Sequence, residues 1–182
     1  EMFEDYQHLR FERRPRILTI VMDRPEARNA ANPRMHRELS RVFAEARHDP
    51  DSEVIVLTGS GQAFSSGGDI RSMREKIADR RLWNDTVDEA RALFQSILDL
   101  DKPLIARVNG AATGLGATLA VYADISIAAR SAVLGDPHVN VGLVAGDGGA
   151  LMWPLLAGFQ RAKELLFLGD NIPAEEAARL GL

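Results

Sequence analysis

The chain has 182 residues, no cysteine and a formal net charge of −4, with 46% hydrophobic and 26% charged residues. A single domain of this length buries about 70% of its unfolded surface and needs no disulfide or structural metal. The lack of cysteine excludes disulfides, thiol nucleophiles and cysteine-based zinc sites, and the acidic balance with scattered basic residues argues against a nucleic-acid surface. We therefore predict one domain over residues 1–182.

The apolar pattern argues against membrane insertion and secretion. The longest apolar stretch, residues 150–157, is broken by Pro154 and is too short to span a bilayer. Residues 1–16 are charged and lack the apolar centre of a signal peptide. The expected location is cytoplasmic.

The N-terminal half begins with a strand and an amphipathic helix. Residues 16–22 (RILTIVM) are rich in β-forming side chains. Asn32 and Pro33 form a good N-cap and first-turn pair, and apolar residues then recur at helical spacing to about His48. The other predicted elements of this half are a buried strand at 53–57, a Gly/Ser loop at 59–68 and a helix at 85–100. The packed face of that helix is predicted to carry Val87, Ala90, Phe94, Ile97 and Leu98.

The C-terminal half continues the alternation of strands and helices. The predicted elements are strands at 103–108 and 124–129, a short helix of small residues at 114–122, and helical segments at 150–156, 159–168 and 173–180, closed by Gly181. This alternation indicates an α/β fold. The order strand, helix, strand, glycine loop occurs twice, at 16–68 and at 85–116.

Two glycine-rich loops, at 63–70 and 109–116, each lead from a strand into a helix. The N–H groups at a helix start are unpaired and lie at the positive end of its dipole, and glycine lets a ligand approach them. Such loops suit an anion or a developing oxyanion. The sequence contains neither a phosphate-loop motif nor a hydrolase G-x-S-x-G elbow. The residues alone leave two interpretations open: a binding site or two tight turns.

Residues 104–116 (LIARVNGAATGLG) resemble the strand and oxyanion helix of the crotonase, or enoyl-CoA hydratase/isomerase, superfamily. Residues 123–128, 63–70 and 169–182 resemble other motifs of that family in the same order. The similarity covers about Leu9 to Leu182. It implies an α/β fold built as a spiral of ββα units, with the family's C-terminal helical segment missing after Leu182.

The resemblance also implies a site and a substrate. The thioester carbonyl of an acyl-CoA is expected to lie between the peptide N–H groups of Gly68 and Leu115. The implied substrate-binding residues are Ala27, Ala30, Ser66, Gly68, Asp69, Ile70, Arg71, Leu115 and Thr118. Coenzyme A enters as part of the substrate, so no separate cofactor and no metal are expected. The implied assembly is a homotrimer or a hexamer of two trimers, and the implied context is fatty acid metabolism.

The acid/base positions depart from the family's hydratase pattern. Two glutamates of that pattern align with Thr118 and His138, and a threonine hydroxyl does not titrate usefully near neutral pH. His138 can move protons at neutral pH. Asp147, later in the same loop, is predicted to bind and orient His138, and a helix start is predicted to keep Asp147 ionised. The alternatives for Asp147 are a plain N-cap or, with Asp136 and His138, a metal ligand.

Three functional hypotheses follow. The first is an acyl-CoA enzyme of the hydratase/isomerase type with His138 as its acid or base. The second is a retro-Claisen hydrolase of a β-diketone, because the pair of His138 and Asp147 resembles that subset of the superfamily. The third is a non-catalytic acyl-CoA-binding protein. His8, His36 and His48 are expected on the surface, and Trp153 in the core or in the wall of the acyl pocket.

Overall fold

A computed structural model describes residues 3–182 of the chain. The strands are β1 Leu9–Arg14, β2 Arg16–Met22, β3 Ser52–Gly59, β4 Ala63–Ser65, β5 Leu104–Val108, β6 Ala111–Thr113, β7 Ile125–Ala128, β8 Val133–Gly135 and β9 Asn171–Pro173. The α-helices are α1 Pro33–Arg47, α2 Ile70–Ala78, α3 Arg80–Leu98, α4 Leu115–Tyr122, α5 Gly149–Ala157, α6 Phe159–Leu168 and α7 Ala174–Leu180. Two 3-10 helices span Pro25–Ala27 and Pro137–Val141. Within these residues no helix has the length and apolarity needed to cross a membrane.

The strands form two sheets that the chain visits in alternation. The larger sheet has the order β1-β2-β3-β5-β7 and the smaller one β4-β6-β8-β9. Pairing is parallel except at the outer pairs β1/β2 and β8/β9. The chain passes from β3 to β4 and then to helices, and from β5 to β6 and then to α4. The prediction of an α/β spiral of ββα units is therefore confirmed.

The core lies between the larger sheet and the helices that cover it. Leu18, Ile20 and Met22 of β2 are fully buried, as are Met35 and Phe43 of α1. Burying each such side chain contributes about 1.5–3 kcal/mol.

Helix α1 begins where the sequence predicts. The side-chain oxygen of Asn32 accepts a hydrogen bond from the backbone N–H of Met35 at 2.8 Å, and Pro33 occupies the first turn. This cap satisfies one of the backbone donors that a helix start leaves unpaired. Local sequence therefore fixes the direction in which α1 leaves the turn.

Several predictions about single elements were wrong. Strand β1 was missed because it is an edge strand whose outer face carries charge; Arg13, for example, binds both oxygens of Asp49. Leu98, predicted on the packed face of the second helix, is 64% exposed, whereas Leu93 and Ile97 are buried, since successive helix residues point about 100° apart. His36, predicted on the surface, is buried against α3, where Nδ1 contacts Glu89 at 2.5 Å.

A buried asparagine holds the turn after β2 against the first glycine loop. Asn29 is fully buried, with a backbone φ of 55°. Its amide nitrogen donates to the carbonyls of Ser60 and Ala63, each at 2.9 Å, and its side-chain oxygen accepts from the N–H of Arg24 at 2.9 Å. The Ser65 hydroxyl donates to the Asn29 carbonyl at 2.8 Å. One side chain thus fixes three segments near the loop.

We expect Asn29→Ala to lower the free energy of unfolding by about 2–4 kcal/mol, because it leaves buried backbone groups unpaired. Urea denaturation followed by circular dichroism measures the change. The matched control is Asn84→Ala on the exposed part of α3, which should stay within about 0.5 kcal/mol of wild type. Equal stability of the two variants would contradict the assigned role of Asn29.

Candidate active site

The two glycine loops touch each other through their backbones. Strands β4 and β6 pair in parallel, so the loops at their carboxyl ends are neighbours. A Cβ atom placed on Gly116 would lie 2.4 Å from the Ser65 carbonyl oxygen. One placed on Gly67, where φ is +89°, would lie 2.8 Å from the Thr113 carbonyl oxygen and 3.5 Å from the Leu115 nitrogen. Any side chain at these two positions would force the loops apart.

The predicted oxyanion donors belong to these two loops. Leu115 is the first residue of α4, where N–H groups lack intrahelical partners. Gly68 lies opposite Ala31 in an isolated bridge whose hydrogen bonds use its neighbours: Ala31 N–H donates to the Gly67 carbonyl, and Asp69 N–H donates to the Ala31 carbonyl. Among the described residues, no backbone acceptor is assigned to either N–H. Both donors are therefore available, and their convergence on one oxygen stays a prediction.

The predicted coenzyme A contacts gather on one side of the first loop. The Ser66 N–H donates to the Arg28 carbonyl at 3.0 Å, and the Ser66 hydroxyl lies 3.4 Å from the Ala27 carbonyl. The Arg24 guanidinium contacts the Ala30 carbonyl and lies 3.8 Å from the Asp69 carboxylate. The structure thus brings the turn after β2 and the first glycine loop together.

The remaining predicted contacts lie at the start of α2. Asp69 caps this helix by accepting from the Arg71 N–H at 3.0 Å. Ile70 and Arg71 are exposed in its first turn. The Arg71 side chain forms no ion pair with any residue in the described range, so its charge remains free for an anionic ligand.

His138 faces the point where the glycine loops meet. It lies in the 3-10 helix Pro137–Val141, and Asp136 is the N-cap. A Cβ atom placed on Gly114 would lie 3.6 Å from Cε1 of His138, 3.9 Å from Nε2 and 3.8 Å from the Gly67 Cα. Both loops and the imidazole are therefore within contact distance of one position.

The orientation of His138 differs from the prediction. Its Nδ1 is hydrogen-bonded to Oδ1 of Asp136, which is completely buried. Its Nε2 lies 3.6 Å from Oδ2 of Asp147, too far for a hydrogen bond. The prediction that Asp147 binds the ring was wrong in this respect, because the cap of the 3-10 helix places a nearer carboxylate at Nδ1. The sequence signal that was missed is Asp-Pro-His, which positions an N-cap two residues before the histidine.

Asp147 lies next to Thr118. The Thr118 hydroxyl is 3.2 Å from Oδ1 of Asp147 and 3.2 Å from the Gly114 carbonyl, and its single hydrogen serves one of them at a time. The loop before α5 therefore places the Asp147 carboxylate against helix α4.

The environment raises the pKa of both catalytic candidates. Burial works to lower the pKa of His138, but the hydrogen bond to Asp136 and the charges of Asp147 and Asp136 outweigh it, and the net shift is upward. Burial raises the pKa of Asp147 against the opposing effects of the His138 charge, the Gly149 N–H and the Thr118 hydroxyl. Asp147 directly precedes Gly148, the N-cap of α5, and the Gly149 N–H at this helix start lowers its pKa, but burial has the larger and opposite effect.

A metal site was the remaining interpretation of this cluster. One potential ligand atom each from Asp136, His138 and Asp147 lies within 4.8 Å of the others. The two carboxylates, however, lie at opposite nitrogens of the imidazole. A metal on Nε2 would gain only Asp147 as a second protein ligand, fewer than the three or four of ordinary zinc sites. The arrangement fits proton transfer better.

Comparison with known proteins agrees with this fold and site. The fold is that of solved enoyl-CoA hydratases: a crystal structure of an enoyl-CoA hydratase/isomerase from Mycobacterium paratuberculosis superposes with a TM-score of 0.94 at 38% identity, covering 97% of this chain and 72% of that one. An enoyl-CoA hydratase from Thermoplasma volcanium gives a TM-score of 0.90 at 36% identity, covering 98% and 71%. Residues 12–182 match the family model of enoyl-CoA hydratase/isomerase. The chain belongs to this family, and the predicted resemblance is confirmed.

Curated relatives carry related names. A probable enoyl-CoA hydratase of Rhodobacter capsulatus is 40% identical over 179 residues, which cover 97% of this chain and 67% of the relative. A crotonyl-CoA hydratase of Syntrophomonas wolfei is 35% identical, with coverage of 97% and 68%. The chain thus spans about two thirds of the length of these relatives.

We expect His138→Gln to destabilise the protein more at acidic than at alkaline pH. The folded-state pKa of His138 lies above its ordinary value of 6.5, so the protonated ring stabilises the fold. That contribution is complete below about pH 6.5 and is lost as the pH rises through the folded-state pKa.

Urea denaturation at about pH 6 and about pH 9 measures the difference between wild type and variant at each pH. The control is His48→Gln at the exposed end of α1, which should change stability by less than about 0.5 kcal/mol at both values. If His138→Gln lowers the free energy of unfolding more at the higher pH than at the lower one, the predicted direction of the pH dependence is wrong.

Proposed function

We propose that this protein is an acyl-CoA enzyme of the enoyl-CoA hydratase/isomerase type that stabilises a thioester enolate. The observation that carries the proposal is the contact of the two glycine loops beside His138. Two unpaired N–H groups, of Gly68 and Leu115, then serve the oxygen that gains charge when a proton leaves or joins the carbon next to the thioester. Removing one such donor typically costs about 3–4 kcal/mol of transition-state stabilisation.

The substrate is expected to approach along the side of the first loop. The turn containing Ala27 and Ala30, together with Ser66 and Asp69, would hold the coenzyme A portion. Exposed Ile70 and Arg71 extend this surface, and Arg71 offers a positive charge to a phosphate. The names of the relatives, a crotonyl-CoA hydratase among them, support an unsaturated acyl thioester as the substrate class.

Proton transfer is assigned to His138 and Asp147. The ordinary pattern of the family's hydratases has two carboxyl groups, whereas this chain has an imidazole and a carboxylate 3.6 Å apart. The raised pKa of His138 favours an imidazolium that donates a proton from Nε2. The Asp147 carboxylate is the group that accepts a proton in the reaction, and the Thr118 hydroxyl holds this carboxylate in place. The proposal retains enolate stabilisation and changes which groups carry the protons.

The second candidate function is retro-Claisen cleavage of a β-diketone. The pairing of His138 with Asp147, in place of two glutamates, favours it. In that reaction the same two N–H groups would stabilise an enolate released by cleavage of a carbon–carbon bond. A non-catalytic acyl-CoA-binding role is the third hypothesis, because neither family glutamate is present. The trimeric or hexameric assembly and the cytoplasmic location remain predictions.

We expect His138→Gln to lower kcat by about 10²- to 10⁴-fold, the usual contribution of a general acid or base. The Kd for crotonyl-CoA should be unchanged, since the ring acts on the reacting carbon rather than on coenzyme A. Turnover is measured on a panel of saturated and unsaturated CoA thioesters and cyclic β-diketones, and binding by calorimetry. The matched control is His48→Gln, which should retain wild-type kcat.

The panel separates the three hypotheses. Thioester turnover that falls with His138→Gln supports the leading one. Diketone cleavage that falls with the same variant, without thioester turnover, supports the second. Thioester binding without any turnover supports the third. A protein that neither binds nor converts any CoA thioester would rule out the leading hypothesis.

A further inference from the structure

We propose that Asp136 is the positioning residue of this site: its carboxylate holds Nδ1 of His138 so that Nε2 is presented between the second glycine loop and Asp147. The role assigned to His138 in turnover rests on the proposed function. The assignment of Asp136 itself rests on geometry and is tested without substrate.

Asp136 fixes both the backbone and the ring of His138. As N-cap of the 3-10 helix it lies 3.4 Å from the His138 N–H through Oδ1, and the same oxygen is hydrogen-bonded to Nδ1 of the ring. Pro137 follows directly and fixes φ at the first helical position. The imidazole therefore has little freedom to turn, and its other nitrogen is left facing the glycine loops.

The carboxylate is costly in this position, which argues that its charge has a use. Its second oxygen, Oδ2, is buried and has no hydrogen-bond partner among the described residues. Gly149 makes room for it, since a Cβ atom there would lie 2.4 Å from Oδ2. Burying a charged group with an unpaired oxygen is unfavourable. Asparagine caps a helix equally well without charge, so capping alone does not account for aspartate.

Two charged groups face the imidazole, one at each nitrogen. Asp136 lies at Nδ1 and Asp147 at Nε2. Helix α4 contributes the Thr118 hydroxyl, which faces Asp147, and Tyr122, whose phenol lies beside Gly148. Helix α5 has no charged side chain.

The charged side chains of α6, which packs on the 3-10 helix Pro137–Val141, contact groups other than His138. Arg161 contacts Glu164 and Glu176, and Lys163 lies over the Phe159 ring. The two aspartates therefore control the protonation of His138.

Their competition determines which nitrogen carries the proton of the neutral ring. With Asp136 at Nδ1, the neutral imidazole keeps its proton on Nδ1 and has a lone pair on Nε2, where a base is needed. The protonated ring then has its reactive N–H on Nε2, where an acid is needed. Without the charge of Asp136, Asp147 would draw the proton of the neutral ring to Nε2 and abolish the base.

The test is ¹⁵N NMR of the imidazole nitrogens across a pH titration. The chain has four histidines, and the His138 signals are those missing from His138→Gln. In wild type the neutral ring should be the Nδ1–H tautomer. In Asp136→Asn the titration midpoint of His138 should fall by about one pH unit, as expected when a nearby opposite charge is removed. The matched control is Asp51→Asn in the exposed turn before β3, which should leave tautomer and midpoint unchanged.

A kinetic experiment adds a second readout. On Asp136→Asn the pH profile of kcat/KM should shift by the same interval as the NMR midpoint, while the Kd for crotonyl-CoA stays at the wild-type value. If the wild-type protein does not bind the thioester, the proposed function is wrong, but the NMR result still tests the role of Asp136. An Nε2–H tautomer in wild type, which needs no variant to observe, would overturn the role of Asp136. A folded Asp136→Asn with unchanged midpoint would do the same.

Discussion

The close approach of two backbone loops is the constraint on which the site depends. At three positions a side chain would collide with backbone of the other segment: Gly67 with Thr113, Gly110 with Gln62, and Gly116 with Ser65. Parallel pairing of β4 and β6 brings the loops together, and glycine allows them to touch. The contact places a helix start and an extended loop side by side, each with an unpaired N–H. It also brings Gly114 against His138.

Two side-chain amides, from buried Asn29 and partly buried Asn109, hold this contact in place. Asn29 ties the first loop to the turn after β2, and Asn109 binds the other side of the same loop through the carbonyls of Gly61 and Ala63. Asn109 also accepts from the Gly59 N–H at 3.1 Å. Fully satisfied buried networks hold one arrangement, since each lost partner leaves an unpaired polar group. Precise placement of two N–H groups is what enolate stabilisation requires.

Under the proposed function, the acid/base groups differ from the two-carboxyl pattern that the family resemblance implies. The His138 imidazole takes the place of one carboxyl group, and Asp147 supplies the other from the loop before α5 instead of from α4. Under our proposals the two aspartates have separate roles. Asp136 orients the His138 ring, and Asp147 lies near its Nε2 atom and takes part in proton transfer. Because both lie beside one imidazole, their charges raise its pKa despite burial. Under the proposed function, the fold retains an enolate-stabilising site, and only the groups that transfer protons change.

Much of the fold could be predicted from sequence because the signals are local. The Asn32 cap and the apolar spacing after it give the bounds of α1, and Gly181, in the left-handed region, ends α7. The glycine loops were found from their composition, and their family from linked motifs in order. Charged strand β1 and the orientation of Leu98 were missed, since edge exposure and helix rotation depend on what packs against them.

The sequence by itself determined the alternation of strands and helices, the family, and His138 as the only histidine of the loop before α5. Tertiary structure alone decided that Asp147 lies against Thr118 and near Nε2 of His138, and that burial raises the pKa of Asp147. The physical reason is the distance along the sequence over which each kind of interaction acts. Caps, turns and periodicity act over a few residues, whereas hydrogen bonding and desolvation at this site depend on the packing of α4 against the loop that precedes α5.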